Sequence, residues 1–209
     1  MEIDCVVLGD FATNCYVVRE SNATKECLII DPGYGAEPLV ELLQTKKLQP
    51  QRILLTHGHC DHIAGIKLLR KKFGAVPVCI SKADAPMLSN DKKNLTWMTG
   101  NLLRLDEPEE MFEPGDTIYL GALEFEVLST PGHTPGSVSF YCAREKVVFV
   151  GDALFAGSIG RTDFPGGDLQ ALLKGVREQL FTLPDETRVY TGHGPATTTG
   201  MEKRTNPFF

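Results

Sequence analysis

The run Thr56-His57-Gly58-His59-Cys60-Asp61-His62 gathers four side chains of metal-binding type into one short stretch. His57 and His59 stand two apart in what reads as an extended turn, so their imidazoles can converge on one ion. Asp61 and His62 follow where the chain begins to turn into a helix, and they can face a neighbouring point. Three further residues of ligand type lie downstream, each just past a strand-like run. They are His133 in Pro131-Gly132-His133-Thr134-Pro135-Gly136, Asp152 in Val150-Gly151-Asp152, and His193 in Thr191-Gly192-His193-Gly194-Pro195. A glycine beside each allows a sharp turn and close backbone approach. The chain has 5 histidines, and every one belongs to these turns. Imidazole and carboxylate, with water completing the set, suit zinc, iron or manganese. The absence of a Cys-x-x-Cys pair argues against a closed structural zinc site.

Such ligands need rigid elements behind them. Val/Ile/Phe-rich runs predict strands at Glu2–Leu8, Cys15–Arg19, Cys27–Ile30, Arg52–Thr56, Val76–Ile80, Thr117–Leu120, Glu124–Ser129, Ser137–Tyr141, Val147–Val150 and Arg188–Thr191. Helical spacing predicts three helices. Ala36–Lys46 carries Leu39, Leu42 and Leu43 on one face. His62–Phe73 carries Ile66, Leu69 and Phe73, with Gly74 placed to end it. Leu169–Leu180 carries Leu172, Leu173, Val176 and Leu180 behind Asp168 as N-cap. The order suggests an α/β fold with a two-sheet core and helices outside, as a single domain over residues 1–209.

Composition narrows the function classes. With 42% hydrophobic and 23% charged residues the chain is globular. A net charge of −6 repels a phosphate backbone, so nucleic acid is a disfavoured partner. No apolar run approaches the ~20 residues of a membrane span, and Met1-Glu2-Ile3-Asp4 does not open a secretory signal. Six cysteines, at 5, 15, 27, 60, 79 and 142, read as buried free thiols in a reducing cytoplasm. Nothing in the sequence signals an oligomeric state.

His57-x-His59-x-Asp61-His62 followed by His133, Asp152 and His193 resembles the metal-binding signature of the metallo-β-lactamase superfamily. The flanks Pro131-Gly132-His133-Thr134-Pro135-Gly136-Ser137 and Gly151-Asp152-Ala153-Leu154-Phe155 are similar to its glyoxalase II (hydroxyacylglutathione hydrolase) branch. The likeness runs from about Asn14 to the C-terminus, including Thr205-Asn206-Pro207-Phe208. It implies a four-layer αββα sandwich with the site at one edge. It also implies two divalent ions, zinc first, with iron or manganese as alternatives. His57, His59 and His133 would hold one ion and Asp61, His62 and His193 the other, with Asp152 bridging. Asp61 and Asp152 would then be catalytic residues as well as ligands. True β-lactamases commonly carry a cysteine or another arrangement at the bridging position, so Asp152 points away from lactam cleavage. Full-length glyoxalase II enzymes continue into a C-terminal helical domain that helps grip glutathione; this sequence ends soon after His193. Their glutathione-contacting lysine and tyrosine are replaced by Gly160-Arg161-Thr162-Asp163-Phe164, where Arg161 keeps the positive charge and is the substrate-binding candidate. Short single-domain glyoxalase II-like proteins are the better match.

The implied activity is hydrolysis of a small-molecule thioester, an acylglutathione or related thiol ester. The nucleophile would be a metal-bridging hydroxide, since metal binding brings the pKa of water from ~15.7 towards ~7. The leaving thiolate, with a pKa near ~8.5, departs without a general acid. Persulfide dioxygenases share the fold and the 160–164 run but use one iron and O₂; a non-catalytic, metal-stabilised binding scaffold is the third possibility. Of the remaining residues, Cys60 reads as an incidental thiol, Trp97 as a packing residue of a surface loop, and Asp31 in Asp31-Pro32-Gly33 as a strand-ending turn.

Overall fold

In the computed structural model, which describes residues 1–100 and 102–209, the strand-rich runs form two six-stranded sheets. The first contains β1 (Glu2–Leu8), β2 (Thr13–Arg19), β3 (Glu26–Ile30), β4 (Gln49–Leu54), β5 (Val78–Ser81) and β6 (Glu110–Phe112), side by side in chain order. Its first three strands pair antiparallel and the rest parallel. The second contains β7 (Thr117–Leu120), β8 (Leu123–Ser129), β9 (Val138–Cys142) and β10 (Val147–Gly151). A short hairpin, β11 (Leu154–Phe155) and β12 (Ser158–Ile159), stands apart. The chain then returns to add β13 (Arg188–Thr191), parallel to β10, and β14 (Thr197–Thr198).

The central strands are apolar at successive positions because both of their faces are covered. In β2, Cys15 and Val17 face the outer helices, while Tyr16 and Val18 face the opposite sheet; in β3, Cys27 and Ile29 alternate in the same way with Leu28 and Ile30. Phe125, Phe140 and Phe149 fill the space between the sheets. Three apolar layers result. One lies under α1 (Glu37–Lys46), α2 (Cys60–Ile63) and α3 (Ile66–Phe73), one lies between the sheets, and one lies under α4 (Leu169–Gly175). That is the four-layer αββα order. Among the described residues no helix is long and apolar enough to cross a membrane.

The structure corrects several local expectations. The helix expected over His62–Phe73 is two helices, broken at Gly65. There the backbone N–H donates to Pro32 O at 2.8 Å, and a Cβ would lie 2.7 Å from Gly33 O. The expected Leu169–Leu180 helix is α-helical to Gly175 and then widens into a π-helical turn, in which Phe181 N bonds Val176 O. Asp168 caps it by accepting from Ala171 N at 3.0 Å. Gln49–Leu54 begins and ends earlier than the Arg52–Thr56 strand expected, because Thr56 turns towards Asp31. The edge strand β6 and α5 (Thr199–Thr205) were not anticipated. All six cysteines are free; Cys5 is exposed instead of buried.

Candidate metal centre

β3 ends at Ile30, and the next residue, Asp31, takes the left-handed backbone conformation (φ 54°), a region short polar side chains tolerate. Its carboxylate thereby turns inward. One oxygen accepts from Thr56 N (2.9 Å); the other accepts from Thr56 Oγ1 (2.6 Å) and from His62 Nδ1 (3.0 Å). Because the Thr56 hydroxyl donates to Asp31, it is left to accept from His57 Nδ1 (3.1 Å). His133 Nδ1 donates to the Arg161 carbonyl (2.7 Å), and His193 Nδ1 donates to the Phe11 carbonyl (3.0 Å). Four imidazoles thus carry their proton on Nδ1 and present a bare Nε2 to the cleft, the arrangement that orients metal-binding histidines. His59 presents Nδ1, 2.8 Å from His133 Nε2.

The inward atoms form two groups. Donor atoms of His57, His59 and His133 lie within 4.8 Å of one another, as do those of Asp61, His62 and His193. Asp152 stands between the groups: Oδ1 is 3.3 Å from His62 Nε2, and Oδ2 is 3.5 Å from both His133 Nε2 and His193 Nε2. Gly192 makes this possible, since a Cβ there would collide with Asp152 Oδ1. A third grouping, of Asp31 with His57 and His62, is equally compact, but Asp31 engages their Nδ1 side through the bonds just described.

These atoms call for cations. His57 Nε2 and Asp152 Oδ1 are buried without a hydrogen-bond partner, a costly state for polar atoms unless an ion takes them up. Burial holds His57 neutral, well below its ordinary pKa, and with His133 pushes His59 down to about 3. His62 is just as buried, yet Asp152, Asp61 and Asp31 together outweigh that burial and raise its pKa. Asp152 is held below the usual carboxylate range against its own burial, chiefly by His62. Three clustered carboxylates beside five imidazoles match divalent ions of the zinc, iron and manganese group.

Asp84 was invisible in the sequence. Its carboxylate accepts from Gly58 N (3.2 Å), Thr134 Oγ1 (2.6 Å) and Gly136 N (2.8 Å), tying the His57–His59 turn to the His133 turn. Asp31 does more than end a strand, and its Asp-Pro-Gly run was its one signal. Trp97, expected to pack, is 57% exposed. Arg161 lies at the rim of a cleft of about 1100 Å³ that opens over His59, Asp61, His133, Asp152 and His193. Its Nε and Nη2 donate to the two oxygens of Asp163, both at 2.7 Å, and its guanidinium carbon lies 3.9 Å from the Phe164 ring centroid.

A family model described as the metallo-beta-lactamase superfamily matches residues 8–193. The hydroxyacylglutathione hydrolase GloC of Haemophilus influenzae is 38% identical over 211 residues, covering 100% of this chain and 98% of that protein. Among solved structures, the BLEG-1 B3 metallo-beta-lactamase is similar at TM-score 0.92 and 38% identity, over 99% of each chain. ETHE1 from Myxococcus xanthus is similar at TM-score 0.81 and 31% identity, over 99% of this chain and 84% of that one.

Proposed function

The chain belongs to the metallo-beta-lactamase superfamily as a metal-dependent hydrolase, and from that premise we propose that it hydrolyses a small-molecule thioester at a two-metal centre. The observation that carries the reading is Asp152, whose two oxygens reach donors of both ligand groups. His57, His59 and His133 would hold one ion, and Asp61, His62 and His193 the other, with Asp152 shared. Divalent ions in such a site supply an activated water at neutral pH and Lewis acidity towards a carbonyl, zinc being the first candidate and iron or manganese the alternatives.

The protein's own part is placement. Asp31, Thr56 and the carbonyls of Phe11 and Arg161 fix the ring orientations, so that the donors need no rearrangement when substrate arrives. Asp61 and Asp152 hold negative charge at the point of attack. Because these four imidazoles spend Nδ1 on hydrogen bonds and would spend Nε2 on the ions, a thiolate leaving group, which needs no proton from the enzyme, suits the site better than an amine. Arg161 at the rim would touch the thiol carrier; its fork is shared with Asp163, which makes that grip weak. The likeness to GloC supports an acylglutathione or related thiol ester. Six unpaired thiols support a cytoplasmic setting.

The run Gly160-Arg161-Thr162-Asp163-Phe164 and the likeness to ETHE1 favour a second reading, persulfide oxidation at one iron. Elemental analysis paired with a thioester hydrolysis assay and an oxygen electrode separates the two. The proposal expects two ions per chain and thioester turnover; one iron with persulfide-dependent O₂ uptake would replace it.

A further inference from the structure

The walls of the cleft differ chemically from its floor. The Phe155 ring meets His193 at a steep angle with centroids 6.1 Å apart, and the Phe164 ring meets His59 likewise at 6.0 Å, so an aromatic ring stands beside each ligand group. Phe11 and Met98 continue the apolar lining towards the mouth, and both are more than half exposed, at 51% and 55%. Large apolar side chains left in water beside a polar floor gain most from a ligand that covers them.

The wall bearing Phe155 is held in place. Gly157 N donates to the buried Glu202 (2.9 Å), and Asn206 Nδ2 donates to Ser158 O (3.0 Å), so α5 clamps the β11–β12 hairpin. A preformed apolar wall binds without an ordering cost. Charge, by contrast, is already cancelled. Arg161 is the cation among the described residues lining the cleft, its fork is closed on Asp163, and Asp10 adds a negative charge to the lining. An anionic group arriving here has to displace Asp163 from a bidentate pair.

We propose that the cleft selects its substrate by an apolar arm of the thioester, packed along Phe155 and Phe164 and covered at the mouth by Phe11 and Met98, and not by an anionic group on the thiol carrier. For the bond that is cleaved, this rests on the thioester reading above.

The test is calorimetric titration of the metal-loaded protein with thioethers, which have no ester to hydrolyse. S-methyl- and S-hexylglutathione compare arm length; S-hexyl-N-acetylcysteamine removes the carboxylates. Half-burial of each added methylene corresponds to about twofold in affinity, so the S-hexyl form should bind about 30-fold more tightly than the S-methyl form. The two hexyl compounds should bind within a few-fold of each other, the weak share left to Arg161, and Phe155→Ala and Phe164→Ala should each flatten the series. Equal affinity for methyl and hexyl forms, or loss of binding with the uncharged carrier, overturns the proposal. A flat series alongside normal thioester turnover overturns this inference alone. A steep series with no thioester turned over leaves the apolar selection standing and overturns the hydrolase reading.

Discussion

At the floor of the cleft His57, His62, His133 and His193 each spend one ring nitrogen on a hydrogen bond that fixes the direction of the other. At the rim, Phe11 and Met98 are more than half exposed, and Arg161 reaches into solvent on its own salt bridge with Asp163. The floor is over-determined, and the rim is held by few contacts. Chemistry at a metal centre tolerates little displacement of donors, so constraint is concentrated there. A rim that only packs against substrate can be open and adaptable. Substitutions at the two places should therefore differ in kind: floor changes alter metal binding and rate, whereas rim changes alter KM.

The largest expected effect comes from emptying the floor. Chelation should abolish hydrolysis and lower the melting temperature by about 5–10 °C, because the clustered carboxylates lose the cations that balance them. An unchanged melting curve would mean that the donors are balanced without an ion. Next, Asp31→Ala removes the acceptor that aims His62 and, through Thr56, His57. Metal affinity or kcat/KM should fall by about 10- to 100-fold; normal values in both would show the network to be idle. At the rim, Arg161→Ala should raise KM several-fold with kcat nearly unchanged, the pattern of lost uniform binding. The His133 contact uses the Arg161 carbonyl and survives the substitution, so a loss of kcat at constant KM would move Arg161 from rim to floor. Smallest is Trp97→Ala, which should alter unfolding free energy by no more than about 0.5 kcal/mol in denaturant titration. A cost of several kcal/mol would mean that the segment leading into Met98 of the rim is structural.

What the sequence revealed follows the same division. The ligand candidates stood out because all five histidines fall in three short runs, each containing a glycine and each following an apolar strand. Apolar runs such as Cys27–Ile30 marked strands buried on both faces, whereas the αββα layer order came from the family resemblance. Asp84 was not readable: its partners Gly58, Thr134 and Gly136 are 26 to 52 residues away, and a lone aspartate carries no mark of such contacts. β6 is short, at a sheet edge and exposed at Glu110 and Met111, so it lacks an apolar pattern. α5 is polar and contains Gly200; its place depends on burying Glu202 against Gly157, Thr197 and Asn206, a tertiary contact. The break at Gly65 likewise follows from the approach of the Pro32–Gly33 backbone, which spacing within one helix does not encode.

Asp152 is where the floor becomes one site instead of two, and metal stoichiometry in Asp152→Ala tests that most directly. Elemental analysis of the wild type and the variant, with thioester turnover measured on the same samples, should give two ions per chain in the wild type. The variant should lose metal from both ligand groups together with its activity. Two ions retained at normal rates in Asp152→Ala would contradict a shared carboxylate at the centre of this site.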